Sequence, residues 1–269
     1  MGGFNLNVHF QPVQPEWARK LSFLTLRNCT SELAASISYA YEFKYVSPYE
    51  NEILLPGIPD GCIDLIFNLK DGNELDCLLV PSPKIRQSFA FKSNTLYFGV
   101  RLLPLQTAFD FKLTAPEINK HMHLPLFDAL PSLRTLYKQL MYASSIDERL
   151  QLVERSIEQT QQINHSNIMM YCMQTVINKK GNIHLKELEQ LTGYSDRYLR
   201  KLFHEEIGMS PKLFFETIYF QFTVQEMQNG HFNLDEHIAT NGLYDISHFY
   251  KKFKKFTDMT PEAYKRLIT

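Results

Sequence analysis

The sequence lacks the features that mark secreted, membrane-spanning or disulfide-bonded proteins. It has four cysteines in 269 residues, none of them in a Cys-x-x-Cys pair, and a chain of this length does not need disulfides to be stable. No apolar run approaches the ~18 residues of a membrane span. The N-terminal stretch has no basic segment followed by an apolar one, as a signal peptide would. We therefore expect reduced thiols and a soluble, cytoplasmic protein with no membrane partner.

The sequence also has almost no net charge and no catalytic signature. Its 28 basic and 29 acidic residues give a formal charge of -1, so a site for a polyanion must be local. It contains no nucleophile elbow, phosphate-binding loop or dinucleotide fingerprint. Asp60 and Asp64 would lie about 13 Å apart along a strand, too far for an acid and base pair, and His121 and His123 have no third ligand nearby. We predict no enzyme, no metal site and no cofactor.

The first 130 residues have the two-residue period of β-strands. The strongest predicted strands are Leu96–Leu103, which Pro104 ends, and Cys62–Leu69, which follows the turn Pro59-Asp60-Gly61. Weaker strands are predicted at residues 33–46, 75–80 and 88–92. Several short strands separated by turns predict a barrel or sandwich.

Arg101 is the charged residue of the strand-rich half that is the candidate for binding a ligand. Alternation places it on the strand face opposite Phe98, Val100 and Leu102. Its side chain either points to solvent or enters a pocket, where it would anchor the carboxylate of a ligand.

After Pro131 the apolar residues have the period of a helix. One stripe contains Leu133, Leu136 and Leu140, and a second contains Leu150 and Val153. These two helices either close the open side of a barrel or form a dimer seam. The polar residues 159–162 are a candidate linker to the remainder of the chain.

The C-terminal part contains an internal repeat with a spacing of about fifty residues. Residues 188–211 and 238–261 each show a helix, a glycine turn and a second helix. Gly193 and Gly242 supply the positive φ that such a turn needs, and Ser195 and Asp245 can accept the first free amides of the helix that follows. This is the pattern of a helix-turn-helix unit, present twice.

The second helix of each copy has an apolar face and an outward cationic face. In the first copy Leu199, Leu202 and Phe203 are predicted to be buried, and in the second Phe249, Phe253 and Phe256. The outward residues are Asp196, Arg197, Arg200, Lys201 and His204, and Ile246, Ser247, Tyr250, Lys251, Lys254 and Lys255. A helix of this kind can lie in the major groove of DNA. One such face alone is more typical of a solvated surface, and it is the repetition that favours DNA binding.

Two runs of the chain resemble the tandem helix-turn-helix domain of AraC/XylS-family transcription regulators. They are Gly193-Tyr194-Ser195 through Ser210-Pro211, and Tyr244-Asp245-Ile246-Ser247-His248-Phe249 through Thr260-Pro261-Glu262-Ala263-Tyr264. The resemblance covers about residues 165–269. The runs Pro59–Phe67 and Phe98–Pro104 are similar to the N-terminal domain of one branch of that family.

The resemblance implies two DNA-binding units joined by a helix at about residues 211–228, with recognition helices about 34 Å apart. It implies that base edges are read by Arg197, Arg200, Lys201, Ile246, Ser247 and Lys251, and that phosphates are contacted by Tyr250, Lys254 and Lys255. The resemblance also implies a cupin-like N-terminal barrel that binds a small-molecule effector. Arg101, placed by alternation, is the candidate effector contact in that barrel. A barrel that only supports a dimer is the alternative.

The expected architecture is α+β: a cupin-like β-barrel over residues 1–130, a helical linker or dimerisation segment over 131–161, and an all-α tandem helix-turn-helix domain over 162–269. The expected function is a sequence-specific DNA-binding transcription regulator, an activator, that responds to an effector. Its expected partners are double-stranded DNA, a second copy of the chain and, for an activator, RNA polymerase. The alternative is a cupin-type enzyme or small-molecule binding protein whose helical C-terminus contacts a partner.

Overall fold

The computed structural model describes residues 10–30, 36–69, 77–105, 109, 111, 114–118, 131–158, 165–234 and 246–269. In these residues strands dominate the N-terminal half and helices the C-terminal half, which confirms the expected α+β class. Among the helices of this part of the chain, none is long and apolar enough to span a membrane.

Seven strands form two antiparallel sheets. They are β1 (Phe23–Asn28), β2 (Ile37–Lys44), β3 (Glu52–Gly57), β4 (Ile63–Asn68), β5 (Cys77–Pro81), β6 (Gln87–Lys92) and β7 (Leu96–Leu102). One sheet has the order β1-β2-β7-β4-β5, and the other pairs β3 with β6. No strand pairing between described residues joins the two sheets, so they do not close into the expected barrel. The sequence missed β1, whose side chains are exposed or half-buried, and β3, in which the first three residues are exposed or half-buried and the last three are buried without alternation.

The central strand β7 has the two faces that alternation predicts, and both are buried. Phe98, Val100 and Leu102 belong to one core cluster, and Tyr97 belongs to another. The second cluster is closed by the β3-β6 sheet and by Trp17 in the short helix α1 (Trp17–Lys20). The strand therefore lies between two packed layers, and neither of its faces reaches solvent.

Helices α2 (Ala115–Ile118), α3 (Pro131–Tyr142) and α4 (Ile146–Glu158) follow the strands. The predicted stripes of α3 and α4 are buried in the same cluster as Leu65 and Phe98. A buried ion pair of 2.5 Å between Arg149 and Glu42 attaches α4 to β2. The two helices thus cover one side of the sheet, and the alternative of a dimer seam on these apolar stripes is wrong because the chain's own core occupies them.

The C-terminal half contains six described helices. They are α5 (Asn167–Asn178), α6 (Leu185–Thr192), α7 (Asp196–Glu206), α8 (Pro211–Gln228), α9 (Ile246–Thr257) and α10 (Pro261–Ile268). One core cluster joins α5, α6, α7 and the first half of α8, and a second joins the rest of α8 to α9 and α10. The predicted connecting helix at residues 211–228 is therefore confirmed as α8.

Helix α8 has apolar residues on every side, and most of them are buried. Phe214 and Ile218 lie in the first cluster, and Phe220 and Val224 lie in the second. Gln221, which is fully buried, faces the N-terminal half. A helix that is apolar all round must be surrounded by protein. Helix α8 is consequently the element that contacts both helical units and the strand-rich half.

Candidate functional site

The first helical pair, α6 and α7, has the turn that the sequence predicts. Gly193 has a φ of +73° and ends α6, a conformation that side chains with a Cβ rarely adopt. The Ser195 hydroxyl accepts from the Tyr198 amide at 3.4 Å, and the Glu189 carboxylate accepts from the Asp196 amide. These acceptors satisfy amides that a helix start leaves free, and they fix the direction in which α7 leaves the turn.

Helix α7 buries one face and exposes the other. Leu199, Leu202 and Phe203 are buried, as predicted. Arg197, Arg200 and Lys201 are exposed and occupy the opposite face. The structure therefore brings the three proposed base-reading residues of the first unit together on one accessible surface.

Two of these three cations are paired with carboxylates of the same helix. Arg200 donates to both carboxylate oxygens of Asp196, with Nη2 2.9 Å from Oδ2, and this contact lowers the pKa of Asp196. Lys201 Nζ lies 3.7 Å from Glu205. Arg197 makes no hydrogen bond or ion pair with any described residue. Arg197 can therefore bind a new partner at once, whereas Arg200 must exchange Asp196 for it.

Helix α9 of the second unit presents cations that are less neutralised. Phe249, Phe253 and Phe256 are buried as predicted, while Lys251, Lys254 and Lys255 are exposed. Lys251 and Lys254 have no acidic partner within the described ranges, and Lys255 lies 5.6 Å from the ring of Phe256. Among the described residues, helix α9 thus presents two exposed lysines without an acidic partner, where the exposed face of α7 presents Arg197 alone.

The remaining proposed residues of the second unit lie around these lysines. Ile246 and Ser247 are exposed at the start of α9. Tyr250 is half-buried and donates to Glu262 of α10, a contact that raises the pKa of the phenol. The turn before α9, with Gly242 and Asp245, lies outside the described residues. Asp258, at the end of α9, has a φ of +60°, a conformation that aspartate tolerates better than most residues.

The two helical units are held together by α8. Lys252 of α9 forms an ion pair of 3.2 Å with Glu216 of α8, and Phe203 of α7 packs edge-on against Phe215 at 5.8 Å. Gly181, with a φ of +75°, lets the turn after α5 approach the α8 backbone, because an added Cβ would lie 2.4 Å from the Phe215 carbonyl oxygen. The recognition helices α7 and α9 are therefore fixed to one shared element.

A protein-family model described as a helix-turn-helix domain matches residues 188–267. That range begins in α6, ends in α10 and includes both exposed cationic helices. This chain carries an AraC-type helix-turn-helix domain. The match confirms the resemblance to AraC/XylS-family regulators within the helix-turn-helix domain.

Comparison with solved structures gives a weaker likeness over most of the chain. One similar structure is ToxT from Vibrio cholerae O395, with 15% identity over 91% of this chain and 96% of that chain and a TM-score of 0.40. Another is an unsaturated fatty acid bound wild-type ToxT from Vibrio cholerae strain SCE256, with 14% identity over 91% and 94% and a TM-score of 0.39. No curated protein sequence matches this chain.

In the strand-rich half, Arg101 is buried, with 2% of its surface exposed, so the alternative that its side chain points to solvent is wrong. Its Nε and Nη2 donate to the two carboxylate oxygens of Asp64 at 2.9 and 2.7 Å. Its Nη1 donates to the Tyr39 hydroxyl at 2.8 Å and lies 3.3 Å from Asp60. Burial raises the pKa of Asp64, and the charge of Arg101 opposes that rise. The partner of Arg101 is thus a pair of the chain's own carboxylates.

A cavity of about 580 Å³ opens beside Arg101, between the strand-rich half and α8. Its walls come from the segment before α1, from β1 and β2, and from the last turn of α8. The aromatic and apolar lining includes Trp17, Leu24 and Tyr41, and the polar lining includes Gln228 and Asn229. This volume lies within the range of small-molecule sites.

Sequence reasoning missed the residues that join the two halves. The Gln221 side chain accepts from the Val13 amide at 2.8 Å and donates to the Pro59 carbonyl at 2.7 Å. The signal was present, since Gln221 is a polar residue in an otherwise apolar stretch of helix. In the described part of the chain no three His, Cys, Asp or Glu side chains cluster so as to hold a metal ion, and His121 and His123 lie outside that part.

Proposed function

We propose that this protein is a cytoplasmic, sequence-specific DNA-binding transcription regulator whose helix-turn-helix units bind one face of a duplex. The observation that carries the proposal is the pair of helices α7 and α9, each buried on its aromatic or aliphatic face and exposed on its cationic face. A helix held in this way can enter the major groove with its basic side chains toward bases and phosphates. The shared helix α8 would keep the two insertions in a fixed relation.

The two helix-turn-helix units would make different contacts with DNA. Arg197, Arg200 and Lys201 would read base edges from α7, because arginine can bond guanine through two donors. Ile246, Ser247 and Lys251 would read bases from α9. Tyr250, Lys254 and Lys255 would contact phosphates, because lysines without acidic partners lose no ion pair on binding.

Binding to the chain's own upstream DNA, measured by mobility shift over a range of salt concentrations, tests this proposal. Each neutralised phosphate contributes about -0.9 to the slope of log K against log salt. Six or more contacts therefore predict a slope steeper than about -5. A flat salt response together with no preferred site would eliminate the regulator.

Two variants distinguish base contacts from phosphate contacts. Arg200→Ala is expected to relax preference at one base pair and to cost roughly 1–3 kcal/mol on the preferred site. Lys254→Ala is expected to weaken all sequences alike and to reduce the salt slope by about 1. If both variants weaken preferred and random DNA by the same factor, the assignment of roles is wrong.

The cavity beside α8 supports an effector-responsive regulator. A ligand there would contact β1 and β2 on one side and the last turn of α8 on the other, so its affinity would depend on how the two halves are arranged. Differential affinity for two arrangements is what allows a ligand to change DNA binding. In this proposal the protein acts as an activator, pairs with a second copy and contacts RNA polymerase.

The oligomeric part of the proposal has its own test. The apolar stripes of α3 and α4 are used within the chain, so a dimer must use another surface. Sedimentation with and without operator DNA should show two copies on the DNA. One copy per duplex at saturation would refute the dimer and leave the DNA-binding proposal intact.

A further inference from the structure

The charged group at the base of the cavity is already neutralised by its neighbours. Three N–H groups of Arg101 donate to Asp64 and Tyr39, and Asp60 lies 3.3 Å from Nη1. A guanidinium has two edges that can bind a carboxylate through two parallel bonds. Asp64 occupies the Nε–Nη2 edge, and Tyr39 and Asp60 contact Nη1 of the other edge. Arg101 therefore has no edge on which both nitrogens are left for a ligand.

The net charge of the group formed by Arg101, Asp60 and Asp64 also disfavours a ligand carboxylate. One guanidinium and two carboxylates sum to -1 when both carboxylates are ionised and to zero when one of them is protonated. In neither state does a positive charge remain. No other basic side chain lines the cavity among the described residues.

The C-terminal end of α8 adds a second negative contribution to the electrostatic potential in the cavity. The cavity is lined by Gln225, Gln228 and Asn229, which form the last turn and C-cap of this 18-residue helix. The C-terminal end of a helix carries a partial negative charge from its free carbonyls. That last turn contains no basic residue to compensate it.

The lining can instead satisfy uncharged polar groups. The side-chain amides of Asn28, Gln228 and Asn229 are exposed at the cavity and make no hydrogen bond with the described residues. An amide offers both a donor and an acceptor. Trp17 and Leu24 provide apolar surface for the body of the same ligand.

We propose that this cavity binds an uncharged small molecule, with an apolar body and a hydroxyl, ester or amide group, and that it discriminates against carboxylates. Arg101 is then a positioning residue that holds Asp64, Asp60 and Tyr39 in place. The inference rests on the proposed effector site, but it concerns only which ligands that site accepts.

The chain provides its own probe, because Trp17 is its one tryptophan and lines the cavity. Its fluorescence can be titrated in the full-length protein with two isosteric pairs: octanoate and octanamide, and cyclohexanecarboxylate and cyclohexanecarboxamide. At pH 8 we expect each amide to bind at least about tenfold more tightly than its carboxylate, because the carboxylate would bring its negative charge into a partly desolvated site. Equal or tighter carboxylate binding, or no response to either amide, would overturn the proposal.

Variants then change the charge of the site by one unit. Asp64→Asn should strengthen octanoate binding about tenfold relative to the parent chain, since part of the guanidinium charge is released. Asp60→Asn should act in the same direction without breaking the two-bond contact to Asp64, and it decides the matter if the first variant fails to fold. No gain for octanoate in a folded variant contradicts the proposed role of these carboxylates.

The matched control is Asp147→Asn. This aspartate is exposed and pairs with Arg27 at 2.6 Å on the opposite face of β1, so the substitution removes one charge away from the cavity. Its amide-to-carboxylate preference should equal that of the parent chain, and a shift as large as that of Asp64→Asn would mean that overall charge sets the preference. Because DNA is absent from these titrations, their failure is separate from failure of the mobility-shift test.

Discussion

Replacing Gln221 by alanine tests whether α8 is attached to the strand-rich half as the structure shows. The side chain is fully buried and bonds the Val13 amide at 2.8 Å and the Pro59 carbonyl at 2.7 Å. Alanine leaves the Val13 N–H and the Pro59 carbonyl without partners, and each such buried group costs about 1–3 kcal/mol of stability. Allowing for partial relaxation and water entry, we expect a loss of about 2–4 kcal/mol in the free energy of unfolding.

Urea denaturation followed by circular dichroism measures this loss, and hydrogen exchange locates it. The Val13 amide should exchange faster by a larger factor than amides within β7. Gln228→Ala is the control, because this side chain is exposed on the same helix and makes no hydrogen bond with the described residues; it should change stability by less than about 0.5 kcal/mol. Equal effects of the two variants would refute the interdomain role of Gln221.

Two further predictions concern the helical half. Gly193→Ala should lower the free energy of unfolding by about 1 kcal/mol, because the positive φ is strained but nothing lies within 4 Å of the new Cβ. Gly181→Ala should cost at least about 1–3 kcal/mol more, because its Cβ would meet the α8 backbone. Thermal denaturation measures both losses, and a larger loss for Gly193→Ala would contradict the packing. Burial opposes ionisation of Glu206, but hydrogen bonds from His165 and Ser166 outweigh it and lower the pKa of this carboxyl. That contribution is present above the ordinary pKa near 4.5 and is lost as the pH falls through the lowered value. Glu206→Gln should therefore cost about 1 kcal/mol at pH 7 and less at pH 3, and an equal cost at both pH values in urea denaturation would count against the ionised contact.

Local patterns predicted the helical half well. Leu199 and Phe253 are buried where the helical period places them, and Ser195 caps α7 as a serine after a glycine turn should. These features depend on neighbours within a few residues of one another. They can therefore be inferred without knowing which elements pack together.

The strand-rich half depends on pairings that are distant in sequence. Arg101 is directly opposite Asp64 only because β7 pairs with β4 in an antiparallel register. Alternation identified the face of Arg101 correctly but could not show that a second layer, with Trp17, covers that face. The attachment of Gln221 to Val13 likewise joins residues that are 208 positions apart. Period and spacing contain no information about such contacts.

Footprinting of the bound operator shows where α7 and α9 contact the duplex. If α7 and α9 enter the same face of one duplex, hydroxyl-radical cleavage should show two protected segments centred about 10 base pairs apart for each copy of the protein. A double variant, Lys251→Ala with Lys254→Ala, should weaken protection of one segment and leave the other. A single protected segment, or loss of both segments together at saturating protein, would contradict the account.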